Sequence, residues 1–327
     1  IFTSLTGVAT SLGMLLVIRF LFGIGEGCFP ASSWKAISSY FPSKVRGRAT
    51  AIQSSVNTLG PALAAIIAAG IIQHFGWHNV FIFLGFPGLL VGFGIWYYLR
   101  DNPADNPRIT AEELQELEED DTATLAAGGA AAMQKVPFST VIKTGALWQM
   151  AAIWFLFDIT FWGFNTWLPS YLMEARGLSL TKTGFLAALP FLFGTVGTLC
   201  GGWTSDKFKS GRTWIYAFAS VVAAGFLYMT FTVAALTPAM IFQCISAFFM
   251  FFAMGIFWGI LMDSISKNIM GTASGIVNFG GQLAGVVSAP IMGKLIDMSG
   301  GSYDNAFLFM IGALIASALV TLTVKTK

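Results

Sequence analysis

The chain has 327 residues, of which 55% are hydrophobic and 10% are charged, and its formal net charge is +2. A soluble domain carries about 25% charged residues, so the composition excludes an ordinary soluble protein, and the small net charge gives no sign of nucleic-acid binding. Apolar runs of about 20 residues recur without strict alternation, which excludes a membrane β-barrel and predicts a bundle of membrane-spanning helices.

In chain order, the apolar runs predict one partial span followed by nine whole helices. Their predicted ranges are 1–11, 13–40, 47–73, 78–99, 147–172, 180–203, 213–235, 238–265, 272–296 and 304–324. The chain starts at Ile1 without a methionine and shows no signal peptide. We therefore expect that it is truncated at its N-terminus.

The segment 100–146 interrupts this pattern, because it is polar and contains an acidic helical stretch from Glu112 to Asp121. Thr110 and Glu113 have the spacing of a capping box, which predicts that a helix begins there. The acidic stretch could bind a partner, but a solvated linker is favoured. We predict an N-terminal bundle over 1–99, a linker over 100–146 and a C-terminal six-helix bundle over 147–327.

Lys and Arg residues are concentrated in the short loops on one side of the predicted spans, as in Lys44–Arg48 and Lys207–Arg212. The loops on the other side carry chiefly Arg176 and Lys182. Positively charged loops favour the cytoplasm. The linker and the C-terminus are therefore predicted to be cytoplasmic, in a multi-pass protein of the plasma membrane (the inner membrane of a bacterium).

Two short segments indicate an internal repeat. Residues 47–52 (GRATAI) are similar to residues 271–276 (GTASGI), and each segment opens a glycine-containing span. Two helical halves related as parallel repeats are typical of one transporter architecture. The spacing of Gly281 and Gly285 in the second of these spans also predicts close packing against another helix.

Arg19 and Glu26 are two charged residues inside one predicted span. They are seven positions apart, which on a helix places them within about 20° of one face and roughly 10 Å apart. Charges at this depth normally face a cavity or a partner. A structural ion pair is one interpretation; in the other, Arg19 binds an anion and Glu26 is the proton-coupling group.

Five other side chains are candidates for the same site. Asp158 lies well inside a predicted span, where an acidic residue is functional by default, as a second cation site or a substrate contact. Trp162 lies too deep for a lipid-belt anchor and is a candidate cavity wall, with Asn165 beside it. Asn57 and Asn278 lie in the two repeat-related helices, where an amide either bonds another helix or contacts substrate.

A gate is predicted at the cytoplasmic ends of the spans. Asp206, Lys207 and Arg212 follow the span 180–203, and such charges at a helix terminus can lock a closed state. Arg46 has a similar position between two earlier spans. Solvated loop charges are the alternative interpretation.

Four segments carry a family resemblance. Arg19–Pro30 is similar to the fourth-helix pattern of the major facilitator superfamily, and Gly202–Arg212 resembles the second copy of its cytoplasmic motif. Within that superfamily, Trp167–Leu172 and Gly275–Gly281 are similar to helices seven and eleven of the anion:cation symporter family. The position of Glu26, seven residues after Arg19, matches the same family.

The resemblance implies an all-α fold of two six-helix bundles, with about ten of twelve spans present. It also implies proton-coupled symport of a small organic anion by alternating access, with Na⁺ as the alternative coupling ion. The anion would be a sugar acid such as hexuronate, glucarate or galactonate, or another carboxylate. Trp258 matches a site position of the family, although helix packing also explains it.

The alternatives are a drug or metabolite antiporter of the same fold and a non-transporting anion sensor. An enzyme is not expected, because no nucleophile–base pair or metal cluster occurs in the spans. We expect a monomer in the lipid bilayer, with no cofactor, no metal and no nucleic-acid partner.

Overall fold

The computed structural model describes residues 1–27, 29–126, 137–266 and 269–324; a number of side chains between 30 and 58, and those of 120–126, lie outside the description. All regular elements within these ranges are helices. The predicted all-α fold is therefore confirmed.

The helices of the N-terminal part follow the predicted spans. They are α1 (Phe2–Thr6), α2 (Leu12–Gly27), α3 (Phe29–Tyr40), α4 (Ser43–Phe75) and α5 (Trp77–Tyr98). α4 and α5 are joined by Gly76 alone, whose φ of 81° lies in the left-handed region that favours glycine.

The acidic stretch forms a capped helix, as predicted. It is α6 (Ala111–Ala126), and its first turn contains a reciprocal capping box. The Glu113 N–H donates to Thr110 Oγ1 at 3.2 Å, and the Thr110 N–H donates to Glu113 Oε2 at 2.9 Å. The bond from the Thr110 backbone lowers the pKa of Glu113 below its ordinary value.

The C-terminal part is built from long helices. After the short α7 (Phe138–Ile142) come α8 (Gly145–Ser170), which continues into a π-helical turn at Tyr171–Ala175, α9 (Leu180–Lys207), α10 (Arg212–Thr232), α11 (Leu236–Ser264), α12 (Met270–Met298) and α13 (Asp304–Leu322). α11 packs against α9 and α10, α12 packs against α8, and α13 packs against both α8 and α10. Tyr216, Phe157 and Phe257 are among the largest fully buried side chains of this core.

In the described residues, seven helices are long and apolar enough to cross a membrane. They are Trp77–Tyr98, Gly145–Ala175, Leu180–Lys207, Lys209–Thr232, Leu236–Ser264, Met270–Met298 and Asp304–Leu322. The predicted span 13–40 contains Cys28, which lies outside the described residues. The span 47–73 lies within α4, where Leu59–Phe75 is a shorter apolar stretch.

The chain divides into two compact units. The first unit comprises Ile1–Asn57 and Ile66–Ala130, and the second comprises Thr58–Ala65 and Ala131–Lys327. The domain boundaries at 99 and 146 stay a prediction.

Candidate functional site

The second unit encloses an acidic side chain inside α8. Asp158 is 5% exposed, and Trp154, one helical turn earlier, is also 5% exposed. Because residues four apart share a helix face, both side chains point toward the same neighbour, α12. A methyl group placed on Gly281 of α12 would overlap Asp158 Oδ2 and lie 2.6 Å from Trp154 Nε1.

Aromatic rings form the rest of this environment. The Trp154 ring stacks on Phe257 of α11 at a centroid distance of 4.4 Å and lies 5.2 Å from Trp258. The Tyr216 hydroxyl, on α10, bonds Ser317 Oγ of α13 at 2.9 Å and interacts electrostatically with Asp158. The described structure provides no hydrogen-bond donor and no cation to the Asp158 carboxylate. The second unit therefore holds a buried acid without a compensating partner.

The contact between α8 and α12 repeats along both helices. A methyl group on Gly285 would lie 3.0 Å from Trp162, and one on Gly293 would lie 3.3 Å from Trp167. The indole nitrogens of Trp154, Trp162 and Trp167 are all buried, and none has a hydrogen-bond partner in the described part of the chain. We call this contact the α8–α12 seam. It confirms the close packing predicted from the glycine spacing.

The other candidates of the second unit are distributed around the seam. Asn165 Nδ2 donates to the Phe161 carbonyl of its own helix at 2.8 Å. Asn278 is exposed on α12, whereas Trp162 and Trp258 are half-buried. Trp258 and Trp154 belong to one aromatic cluster, whereas protein does not enclose Asn278.

A cavity of about 10 Å³ lies near the C-terminal end of α8, where Trp167, Gln243 and Met310 are among the residues that line it. This is the space of about one water molecule. It is too small for an organic solute.

Arg212, a predicted gate residue, forms a partly buried ion pair. Its Nη1 lies 2.6 Å from Asp263 Oδ2 at the end of α11, with side-chain exposures of 8% and 30%. The guanidinium also donates to the carbonyls of Ser205 at 2.9 Å and Gly259 at 3.2 Å. Asp263 was not among the predicted site residues. Its position as an acidic residue at the end of the predicted span 238–265 could have indicated it.

Two of the remaining gate candidates, Asp206 and Lys207, are not bonded to this pair. Asp206 and Lys207 are both exposed, and the Lys207 ammonium lies 5.0 Å from the centre of the Trp203 ring. Arg46 lies in α4, and its side chain is outside the described part of the structure.

In the first unit, α2 carries Arg19 and Glu26, as predicted, but neither side chain is covered by protein. The expected burial of this pair is therefore not seen. The Arg19 guanidinium lies 5.0 Å from the centre of the Phe81 ring on α5, a distance typical of a cation–π contact. Asn57 lies in α4, and its side chain is outside the described residues.

A second polar cluster, at the end of α8, was missed. Arg176 donates to the carbonyls of Thr230, Val233 and Ala234 at 2.7–2.9 Å, which caps the C-terminal end of α10. Tyr303 donates to Glu174 Oε2 at 2.7 Å. The sequence around Arg176 gave no sign of this cluster, because the acceptors of its guanidinium are backbone carbonyls more than 50 residues away.

A family model and curated relatives both match this chain over most of its length. The family model described as Major Facilitator Superfamily matches residues 1–289. The probable sulfoacetate transporter SauU of Cupriavidus necator is 35% identical, over 99% of this chain and 75% of its own length. The hexuronate transporter of Bacillus subtilis is 26% identical, over 98% of this chain and 75% of its own.

Two solved structures share the fold. The crystal structure of a D-xylose-proton symporter superposes with a TM-score of 0.72 at 16% identity, covering 99% of this chain and 78% of that one. A bacterial homologue of the human lysosomal transporter Spinster, in an inward-facing and occupied conformation, gives 0.68 at 20% identity, with coverages of 98% and 77%. At these identities the likeness concerns the fold alone.

Proposed function

Because the chain belongs to the Major Facilitator Superfamily of membrane transporters, we propose that it is a proton-coupled symporter for a small organic anion. The family membership makes it a multi-pass membrane transporter and not an enzyme. Anion and proton would move by alternating access between the two sides of the membrane. The linker and the C-terminus would lie in the cytoplasm of a bacterial cell.

The substrate class is supported by the relatives. They are named as transporters of sulfoacetate, hexuronate, and galactarate or D-glucarate, all of which are small organic anions. A carboxylate or sulfonate suits the forked guanidinium of Arg19, which is exposed and held over Phe81. Asn278 is also exposed and would bond substrate oxygens; Trp162, Trp258, Asn165 and Asn57 would complete the contacts.

The observation that carries the coupling proposal is the enclosed carboxylate of Asp158. It is 5% exposed and has no donor or cation among the described residues. A charged carboxylate in such surroundings costs several kcal/mol unless it is neutralised. Asp158 would therefore bind the coupling proton, with Glu26 as a second proton site; Na⁺ is the alternative cation.

The ion pair between Arg212 and Asp263 would act at the cytoplasmic end of the second unit. It ties the first residue of α10 to the end of α11. A pair of this kind has two states, formed and broken, and so can hold one conformation of a gate.

Flux measurements in proteoliposomes test the proposal. The purified protein is reconstituted without a proton gradient, and a pH-sensitive dye reports the external medium as candidate anions are added singly. Sulfoacetate, a hexuronate, galactarate and glucarate form the panel, and a neutral sugar of similar size is the control.

Symport predicts external alkalinisation that depends on the anion. Acidification of the external medium on anion entry would indicate an antiporter, and binding without flux would indicate a sensor. Either result would contradict the proposal. Replacing external Na⁺ by K⁺ separates the two coupling ions, since a proton symporter should be unaffected.

A further inference from the structure

The buried indole of Trp154 has no function in the mechanism described so far. The residue is only 5% exposed. Its Nε1 is inaccessible to solvent and has no hydrogen-bond partner within the described residues. Leaving a buried donor unpaired costs roughly 1–3 kcal/mol. Such a group calls for a physical explanation.

The carboxylate of Asp158 is an acceptor that lies on the same side of α8 as this nitrogen. Trp154 Nε1 and Asp158 Oδ2 converge on one point of the α12 backbone, because a methyl group on Gly281 would clash with both. The two residues are one turn apart on α8, and the stacking of Trp154 on Phe257 fixes the plane of the indole. A small rotation of either side chain would bring donor and acceptor together.

We propose that Trp154 is a positioning residue for the proton site: its indole N–H donates to Asp158 when that carboxylate is charged and releases it when it is protonated. The inference rests on the proposed role of Asp158. Gly281 lets both polar groups lie against the α12 backbone, at a place that a side chain on α12 would otherwise occupy.

Few other groups among the described residues could donate to the charged carboxylate of Asp158 or change its protonation. α12 presents Gly281 to the pair, α11 presents Phe257 and Trp258 to the Trp154 ring, and neither set contains a titratable side chain. Tyr216 on α10 is the titratable group that interacts electrostatically with Asp158 among the described residues. Its hydroxyl is bonded to Ser317 of α13, which fixes it away from the role assigned to the indole.

Infrared difference spectroscopy of the purified protein tests this step without any flux. Carbonyl bands of protonated carboxylic acids should appear as the pH falls, one for each group of the 16 Asp and Glu residues that takes up a proton, and Asp158→Asn should remove one of them. Trp154→Phe keeps a ring against Phe257 but lacks the N–H. The charged carboxylate then loses a donor, so the midpoint of the Asp158 band should move to higher pH by about one unit.

Trp167→Phe is the matched control. Trp167 is on the same helix and its indole nitrogen is also buried without a partner in the described structure, but it packs against Gly293 rather than beside the acid. It should leave the midpoint unchanged. An unchanged midpoint of the Asp158 band in Trp154→Phe, an equal shift in Trp167→Phe, or a failure of Asp158→Asn to remove any band would each overturn the inference.

A second measurement applies if Trp154→Phe does not fold. Among the indole N–H signals of the 10 tryptophans, NMR should show one that moves with the same midpoint as the Asp158 band. Its pH dependence should disappear in Asp158→Asn, and its persistence would overturn the inference. Titration of the pair without proton-driven flux would overturn only the proposed function, whereas proton-driven flux with an unchanged midpoint would overturn only this inference.

Discussion

Two charged candidates of the second unit are enclosed by protein, whereas two of the first unit are exposed. In the second unit, Asp158 is 5% exposed and Arg212 is 7% exposed, and the protein itself forms their surroundings. In the first unit, Glu26 and Arg19 are exposed on α2. The chemistry of the enclosed charges therefore depends on packing within the unit, and single substitutions at neighbouring positions can alter it. The exposed charges depend less on such packing.

The largest expected effect is at the two acids. Asp158→Asn should abolish proton-driven accumulation of the anion and retain anion exchange, because exchange needs no net proton movement. Its stability should not fall, since the amide is neutral and the carboxylate has no hydrogen-bond donor or cation among the described residues to lose. Glu26→Gln should have the same effect on transport and leave stability unchanged.

Uptake and counterflow in proteoliposomes, with thermal melting of the same preparations, measure these effects. Accumulation against a gradient by Asp158→Asn would show that the enclosed acid is not a coupling site. A large loss of stability in Glu26→Gln would show that the exposed acid is also held by the protein, and the contrast between the units would fail.

The next effect concerns the two arginines. Arg212→Met should destabilise the protein by about 3 kcal/mol, because it leaves Asp263 without its cation and the carbonyls of Ser205 and Gly259 without a donor. Arg19→Met should change stability by less than about 0.5 kcal/mol and weaken anion binding. Chemical denaturation and anion-binding titrations of both variants distinguish these outcomes; equal losses of stability would contradict the comparison.

The case of Arg212 shows what sequence could and could not predict. Long apolar runs predict helices because each run satisfies its own backbone, and a loop motif was enough to place Arg212 at a helix end. Its partner Asp263 is 51 residues away, and no local pattern indicates which helices pack together.

The spacing of Gly281 and Gly285 likewise predicted close packing, but not that the space is filled by Trp154, Asp158 and Trp162. Asn165 was predicted to contact substrate, and its bond to the Phe161 carbonyl depends on a rotamer that sequence does not reveal.

Adjacent glycines of α12 provide a smaller and sharper test of the seam. Gly281→Ala should cost about 2 kcal/mol, because its methyl group would overlap Asp158 Oδ2 and crowd Trp154. Gly280→Ala is the matched control, since its methyl group would lie 3.7 Å from the Ala151 carbonyl, an ordinary contact. Melting curves should separate the two variants by several degrees. If they melt together, the seam is looser than the structure indicates, and Asp158 is not tightly enclosed.

The smallest effects are expected at two tyrosine hydroxyls, one in each unit. Tyr303 is 3% exposed, and its hydroxyl donates to Glu174 at 2.7 Å, so Tyr303→Phe should cost about 1 kcal/mol. Tyr40 donates to the Arg100 carbonyl at 2.8 Å and accepts from the Arg100 N–H at 2.9 Å, in an exposed setting. Water can replace both partners there, so Tyr40→Phe should cost about 0.5 kcal/mol or less.

Denaturation midpoints measure the loss of stability in both variants. Tyr228→Phe is the control, because Tyr228 is 51% exposed. An equal or larger loss at Tyr40 would show that the first unit also depends on enclosed polar contacts, and the difference between the units would then be limited to Arg19 and Glu26.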